Sequence, residues 1–557
     1  MLKQHRSRVL VIGVDGGSWN IMKPLMDEGE LPTFSKLVDE GTSGNLESTV
    51  PCNSGPAWVS FMSGKNPGKH GIFGFFGRRN YYSITTINST YIKSRTLWTL
   101  LSNANKKLGL VNIPMTYPPF QINGLMITGV LTPSLKGRFT YPPTLGGEFL
   151  QKVKDYRIEP VTLSDDLEET KILLAQDVFS TAEKRYEASK YLMERMNDWD
   201  FFMCVFRELD AIQHYFMHTL DISHPNCNPG ELRRFSRVIP DYYNLIDSII
   251  GRFMNTLEGD CTVLVVSDHG FGSVHRSFNV VRWLEEEGYI KSRRSTSDQI
   301  RKLNSVLSFF GISPLARKIF AKLSPDYSSL VTPLGFLFNL MLSRDIEWSK
   351  TKVYFEANEG LRINLKGREP KGFVKPEDYE ILRDELIAKL LEFREPETGE
   401  PVVEKVYRRE EIYSGPYVGE APDLVMSWKE YPDQRRTHFP YLGSHSQGLF
   451  RLNRTITGSH TQNGIFIAYG KNIKKGKIIR NAEIIDLAPT ILYIMGQVIP
   501  QDMDGEVLTE MFEDDYVQTQ RPQYSAEKTR YEKKAEEVGG KEAEIIKKRL
   551  KGLGYID

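Results

Sequence analysis

Val9-Leu-Val-Ile-Gly-Val-Asp15-Gly-Gly17 is the stretch on which the reading of this chain turns. Six apolar or small residues in a row, with no polar alternation, describe a strand buried on both faces, the usual state of a parallel sheet covered by helices. The run delivers one carboxylate at its end and then a glycine pair that lets the backbone turn. Asp15 has an ordinary use as a helix N-cap. A dinucleotide loop requires GxGxxG, and that spacing is absent.

Further runs of the same kind follow at Leu108–Ile113, Phe201–Phe206, Thr262–Asp268, Asp423–Trp428 and Gly464–Tyr469. Helical patterns such as Ser180–Met196 and Tyr242–Leu257 lie between them. The expected class is α/β, a doubly wound, mostly parallel sheet sandwiched by helices. A catalytic core over residues 1–274 plus 421–523 is expected. Residues 275–420 read as a mainly helical cap or insertion with a short strand near Arg362–Leu365. Residues 524–557 form a charged helical tail in which Ile545, Ile546 and Leu550 make an apolar stripe.

The composition agrees. Of 557 residues, 40% are hydrophobic and 26% charged, which excludes a wholly disordered chain. The net charge of +1 argues against a globally basic nucleic-acid binder. The most apolar uncharged stretch, Tyr327–Ser343, is interrupted by Pro333, Gly335 and Asn339, so no membrane span is expected. Cys52, Cys204, Cys227 and Cys261 are scattered, without a CxxC pair, and no disulfide framework is expected. The apolar run after the basic start ends at Asp15, too short for a secretory signal. A cytoplasmic location is the resulting expectation.

Ligands of open α/β sheets bind beyond the carboxyl ends of the strands, and acidic and imidazole groups gather at such ends here. Phe206-Arg-Glu-Leu-Asp210-Ala-Ile-Gln-His214 puts Asp210 and His214 one helical turn apart on one face. Such a pair grips a metal ion or makes a plain surface contact. Val265-Val-Ser-Asp268-His269-Gly-Phe-Gly272 delivers an Asp and a His together, for an ion or for each other. His460 in Thr457-Gly-Ser-His460-Thr directly precedes the strand Gly464–Tyr469, and is preferred for that reason to the second copy, Gly443-Ser-His445. Three carboxylates and three imidazoles suit Zn²⁺, with Mn²⁺ or another divalent ion as alternatives. Six ligands exceed the shell of one tetrahedral ion, so two ions ~3.5–4 Å apart are expected. A nucleophile is sought nearby, and Ser54 in Pro51-Cys-Asn-Ser54-Gly-Pro-Ala-Trp58 opens an apparent helix. Its hydroxyl serves there as a nucleophile or as a helix cap. Trp58, Phe61, Phe73, Phe75 and Phe76 either stack on a substrate or pack in the core.

The motifs, taken in order, resemble the alkaline phosphatase superfamily, and within it the type I phosphodiesterase/nucleotide pyrophosphatase branch. Those carrying the resemblance are Asp15, Ser54 with the downstream Asn66-Pro-Gly-Lys-His70-Gly-Ile, Asp210/His214, Asp268/His269 and His460. They lie within roughly residues 8–75, 200–272 and 455–500, a little over a third of the chain. The resemblance implies the superfamily's α/β sandwich with a variable cap. It assigns Asp210, His214 and His460 to one ion, and Asp15, Asp268 and His269 to the other, with Ser54 completing the latter ion's shell of ligands. It implies hydrolysis of a small-molecule phosphate ester, a phosphodiester or nucleotide pyrophosphate, through a phosphoserine intermediate.

Two departures mark the chain. Phe75 stands about where the pyrophosphatase branch carries an Asn for the phosphoryl oxygens. Trp58 stands where a sulfatase would carry Arg, and Cys52 lies two residues too early for a sulfatase nucleophile. A phosphomonoesterase, a phosphonate hydrolase, a phosphotransferase on a lipid or glycan, and a sulfatase are the alternatives, beside a binding protein that keeps the fold without catalysis. The sequence leaves oligomeric state open.

Overall fold

A computed structural model describes residues 8–80, 82–161, 168–257, 260–292, 346–356, 360–431, 436–441, 448–526 and 540–552. Its strands in chain order are β1 (Arg8–Val14), β2 (Thr42–Glu47), β3 (Phe76–Asn80), β4 (Ser83–Thr86), β5 (Leu108–Ile113), β6 (Gly124–Thr128), β7 (Thr140–Tyr141), β8 (Phe201–Phe206), β9 (Cys261–Val266) and β10 (Gly270–Asn279). They continue with β11 (Val353–Glu356), β12 (Gly360–Ile363), β13 (Val403–Arg408), β14 (Leu424–Trp428), β15 (Arg436–Tyr441), β16 (Phe450–Leu452), β17 (Gly458–Thr461), β18 (Asn463–Tyr469) and β19 (Lys477–Glu483).

Among the described residues, nine strands form the central sheet in the order β19-β2-β18-β9-β1-β8-β5-β6-β7. Five consecutive strands, β9, β1, β8, β5 and β6, run parallel. Strand β18 is antiparallel to both neighbours and β7 closes the far edge antiparallel. The apolar runs make this sheet because each has a hydrophobic layer waiting on either side. In β1, Val9 and Val11 enter one core while Leu10, Ile12 and Val14 enter the other. In β8, Phe201, Met203 and Val205 face the first, and Phe202, Cys204 and Phe206 the second. Successive side chains of a strand point to opposite faces, so an unbroken apolar run is what a sheet covered twice demands. Helix Val238–Thr256 covers the second face with Ile246, Ile249, Ile250 and Phe253, all 0–1% exposed. Each such side chain contributes about 1.5–3 kcal/mol by leaving water.

Gly13 is set by a close approach. A Cβ there would stand 2.7 Å from the Trp58 ring and 2.9 Å from Val205. Glycine at that one strand position lets Trp58, on helix Ser54–Ser63, lie against the sheet beside the end of β1.

One expectation needs correction. The run Asp423–Trp428 is a strand, but it lies outside the central sheet. As β14 it pairs with β12 and β13 in a four-stranded antiparallel sheet, β11-β12-β14-β13. Of the segment 275–420, residues 293–345 and 357–359 lie outside the described residues; in the described part, helix Tyr379–Glu392 is seated on that sheet by Leu382, Leu386 and Leu390. The strands there are only four to six residues long, short enough for helix-like charge patterns on either side to dominate the sequence signal. The apolar stretch Tyr327–Ser343 and the His445 copy lie outside the described residues. In the tail, helix Gly540–Gly552 buries Ile546 and Leu550 in the first core, while Ile545 is 45% exposed. Among the described residues no helix is long and apolar enough to cross a membrane.

Candidate metal centre

Three adjacent central strands, β9, β1 and β8, end side by side, and each hands over its polar residues at the same rim of the sheet. Asp15 directly follows β1. Asp210 and His214 lie on helix Glu208–Phe216, which starts two residues after β8. Asp268 and His269 fill the turn between β9 and β10. His460 arrives from elsewhere in the chain on β17, held opposite Phe271 by pairing with β10. Ser54 begins a helix whose cap is Asn53, which accepts from the Gly55 N–H. The cap is therefore Asn53, and the Ser54 hydroxyl is free of that duty. All seven sequence-predicted site residues meet in one buried cluster, each at most 1% exposed except His460 at 7%.

The first set is a triangle. Asp210 Oδ1 lies 3.1 Å from His460 Nε2, His460 Nε2 lies 3.2 Å from His214 Nε2, and His214 Nε2 lies 3.5 Å from Asp210 Oδ1. In the second set, His269 Nε2 lies 3.3 Å from Asp268 Oδ2 and 3.7 Å from Asp15 Oδ1. Ser54 Oγ is 3.0 Å from His269 Nε2 and 3.4 Å from Asp15 Oδ1. The sets abut, since His269 and His460 stack with ring centroids 3.8 Å apart.

Whether these residues fit divalent ions is decided by proton positions. Each ring places Nδ1 3.0 Å from a backbone carbonyl: His214 on Gly458, His269 on Gly270, His460 on Cys52. A carbonyl only accepts, so each Nδ1 carries the hydrogen and each Nε2 turns a lone pair inward, the tautomer that outer partners impose on metal-binding imidazoles. Burial pushes His460 down to about 3, so it is neutral near pH 7. His460 and His214 then face each other at 3.2 Å with lone pairs alone, an arrangement that a shared cation relieves. Ligand atoms ~2.0–2.1 Å from a tetrahedral ion stand roughly 3.3 Å apart, close to the three edges of the triangle. Asp268 Oδ2 is buried without a hydrogen-bond partner, which costs free energy unless something cationic meets it. Burial holds the Asp15 and Asp268 carboxyls above their usual range. The donor set fits two divalent ions.

Sequence reasoning passed over Arg207. Its guanidinium, 0% exposed, donates from Nε to Asp15 Oδ2, from Nη1 to Glu159 Oε2 and from Nη2 to Asp210 Oδ2, each at 3.1 Å. A strand-end arginine between two acidic motifs was the available signal. Glu159 had none, being a loop residue far from any motif. Trp58 donates from Nε1 to Asp15 Oδ2 at 3.1 Å. The aromatic residues near Ser54 are packing residues: Trp58, Phe61, Phe75 and Phe76 lie in the first core and Phe73 in a small cluster with Tyr413. His218, the next histidine of the Asp210/His214 helix region, is occupied by Thr457 and Glu231. His70 pairs with Ser60 away from the cluster.

The family described as Type I phosphodiesterase / nucleotide pyrophosphatase matches residues 9–430. No curated protein matches the chain. Among solved structures, the chain is similar to murine ectonucleotide pyrophosphatase / phosphodiesterase 5 in an inactive form with AMP, at 12% identity over 91% of this chain and 100% of that one, TM-score 0.49. It is similar to phosphonoacetate hydrolase from Sinorhizobium meliloti 1021 in complex with phosphonoacetate, at 14% identity over 88% and 95%, TM-score 0.48. It is also similar to the alkaline phosphatase PafA, at 14% identity over 92% and 100%, TM-score 0.49.

Proposed function

The chain belongs to the type I phosphodiesterase/nucleotide pyrophosphatase family, a hydrolytic enzyme family of the alkaline phosphatase superfamily, and from that membership we propose that it cleaves phosphodiesters or nucleotide pyrophosphates at a two-metal site through a phosphoserine. The observation that carries the reading is the pair of ligand sets beside Ser54: Asp210, His214 and His460 for one ion, and Asp15, Asp268 and His269 for the other. Zn²⁺ is the ion that the mixed nitrogen and oxygen donors favour, with Mn²⁺ next.

Divalent ions held there supply Lewis-acid stabilisation of phosphoryl charge and lower the pKa of a nearby hydroxyl. The chain's own groups do the rest. The helix start fixes Ser54 Oγ, and its hydrogen has acceptors in His269 Nε2, Asp15 Oδ1 and the Asp268 carboxylate. As that proton is given up, the oxygen forms the bond to phosphorus while the bond to the departing ester oxygen breaks, leaving a phosphoseryl residue that water then cleaves. Burial of the cluster excludes bulk water, so each fixed dipole and charge acts at full strength.

A second reading is favoured by Phe75. It is 2% exposed within the first core, and its side chain has no polar atom to offer at about the place where the pyrophosphatase branch carries Asn. A phosphomonoester or phosphonate substrate follows if that contact is what selects diesters. Bis-p-nitrophenyl phosphate, p-nitrophenyl phosphate, p-nitrophenyl sulfate and a dinucleotide, compared before chelation, after it and after metal add-back, decide between them. Diester or dinucleotide cleavage above monoester cleavage supports the first reading. Dominant monoester cleavage supports the second, and metal-independent or sulfate-specific turnover removes both.

A further inference from the structure

The two ligand sets are joined by one side chain that belongs to neither. Asp15 and Asp210 sit in different sets, and each uses the same division of labour. Asp15 Oδ1 faces Ser54 and His269, while Asp15 Oδ2 takes the Arg207 Nε–H. Asp210 Oδ1 faces His214 and His460, while Asp210 Oδ2 takes an Arg207 Nη2–H. The remaining arm is anchored by Glu159 Oε2 on Nη1. We propose that Arg207 is a positioning residue that ties the two metal sites into one unit, by reserving the outer oxygen of Asp15 and of Asp210 and fixing the distance between the two inner oxygens.

The chemistry requires arginine. Its planar guanidinium presents donors in fixed directions, and here three of them reach three separate carboxylates at equal distance. Lysine is a point charge on a flexible stem and cannot span them in one geometry. With Oδ2 engaged by a cation, each carboxylate offers a single oxygen to its set. The buried positive charge also offsets part of the repulsion among Asp15, Asp210, Asp268 and Glu159, which lets the pocket form before ions enter. Arg207 is fully buried and its three donor nitrogens are committed, so it touches the carboxylates and leaves the substrate to other groups.

This inference rests on the two-metal reading, and the test separates the two. The purified full chain is stripped with chelator and titrated with Zn²⁺ by calorimetry, with bound metal counted by elemental analysis. Wild type is expected to take two equivalents; failure to do so overturns the two-metal reading itself. Given two equivalents in wild type, Arg207→Lys, which keeps the charge, is expected to weaken at least one equivalent by ~10- to 100-fold, the range set by outer partners of metal ligands. Glu159→Gln, a milder change that leaves Arg207 in place without its anchor, is expected to weaken the same equivalent by a smaller factor, and it supplies the test if Arg207→Lys fails to fold. In Mn²⁺-loaded protein, the spin coupling between the two ions is expected to change in Arg207→Lys, a signature of altered spacing that a merely structural role would not move. Wild-type affinity for both equivalents in a folded variant, with unchanged spin coupling, overturns the proposal.

Discussion

Tyr413 donates its hydroxyl to the carbonyl oxygen of Val50 at 2.5 Å, and its ring meets Phe73 edge-on with centroids 5.3 Å apart. The two partners come from different parts of the molecule. Val50 lies in the loop that leads into Ser54, and Tyr413 follows β13 in the antiparallel sheet. The antiparallel sheet region thus grips the loop that leads into Ser54, the proposed nucleophile. Replacing Tyr413 by Phe keeps the ring contact and removes the hydrogen bond, at a cost of about 1 kcal/mol. The expected result is a several-fold fall in kcat with unchanged metal content, read by steady-state kinetics beside elemental analysis. Unaltered kinetics would show that the loop holds itself in place.

Ser54→Ala removes the oxygen and no ligand imidazole or carboxylate. Turnover of the best substrate should fall by at least ~10³-fold, while the affinity of the Asp210, His214 and His460 set stays near wild type. Acid quenching of wild type with labelled substrate should trap phosphate on the peptide containing Ser54. Full activity in the Ala variant would remove Ser54 from the chemistry.

Asp268 is the proposed ligand whose Oδ2 lacks a hydrogen bond, so it loses least by substitution when no ion is bound. Asp268→Asn should therefore fold at least as stably as wild type after chelation, yet bind one equivalent of metal in place of two. Wild type at ~100 times the dissociation constant should gain about 2.7 kcal/mol from each site, visible as a rise in Tm that the Asn variant shows only in part. An equal rise in both proteins would argue against Asp268 as a ligand.

A pH effect arises far from the site. Asp423 accepts from both Arg368 Nη atoms at 2.6 Å, from Tyr379 at 2.7 Å and from the Ile363 N–H at 2.7 Å. Burial would raise its carboxyl, but the Arg368 pair outweighs this and holds it at about 2 against an ordinary 3.8. A carboxylate with a depressed folded pKa stabilises above its unfolded value and loses that contribution as pH falls through the folded one. The contribution is present above about pH 4 and gone near pH 2, and amounts to roughly 2 kcal/mol. Denaturant midpoints of wild type should fall more steeply across that window than those of Asp423→Asn. Parallel curves would mean that the buried pair adds nothing.

The fold was legible wherever burial on two faces wrote an unbroken apolar run, as in Val9–Val14 and Phe201–Phe206. It was not legible in β2, whose sequence Thr-Ser-Gly-Asn-Leu-Glu is polar because it lies toward the sheet edge. Nor was it in β11, which has only four residues, or in β13, whose alternation is broken by a register shift between Val403 and Lys405. Asp15, Asp268 and His269 were legible because they stand at strand ends, where a charged residue interrupts a hydrophobic pattern, and Asp210 and His214 because their spacing of four puts them on one helix face. Glu159 and the bridging role of Arg207 were not, since what matters there is which oxygen of each carboxylate is engaged, a relation between residues distant in sequence that no local spacing encodes.

The most direct test of the central claim counts ions and turnover on the same sample. Elemental analysis of the purified chain, of the chelated chain and of the chain reloaded with Zn²⁺ or Mn²⁺, each assayed with bis-p-nitrophenyl phosphate and p-nitrophenyl phosphate, should give two ions per chain in the active forms, loss of both ions and activity on chelation, and recovery of both on reloading. Undiminished phosphoester hydrolysis by protein stripped of divalent metal would contradict the account.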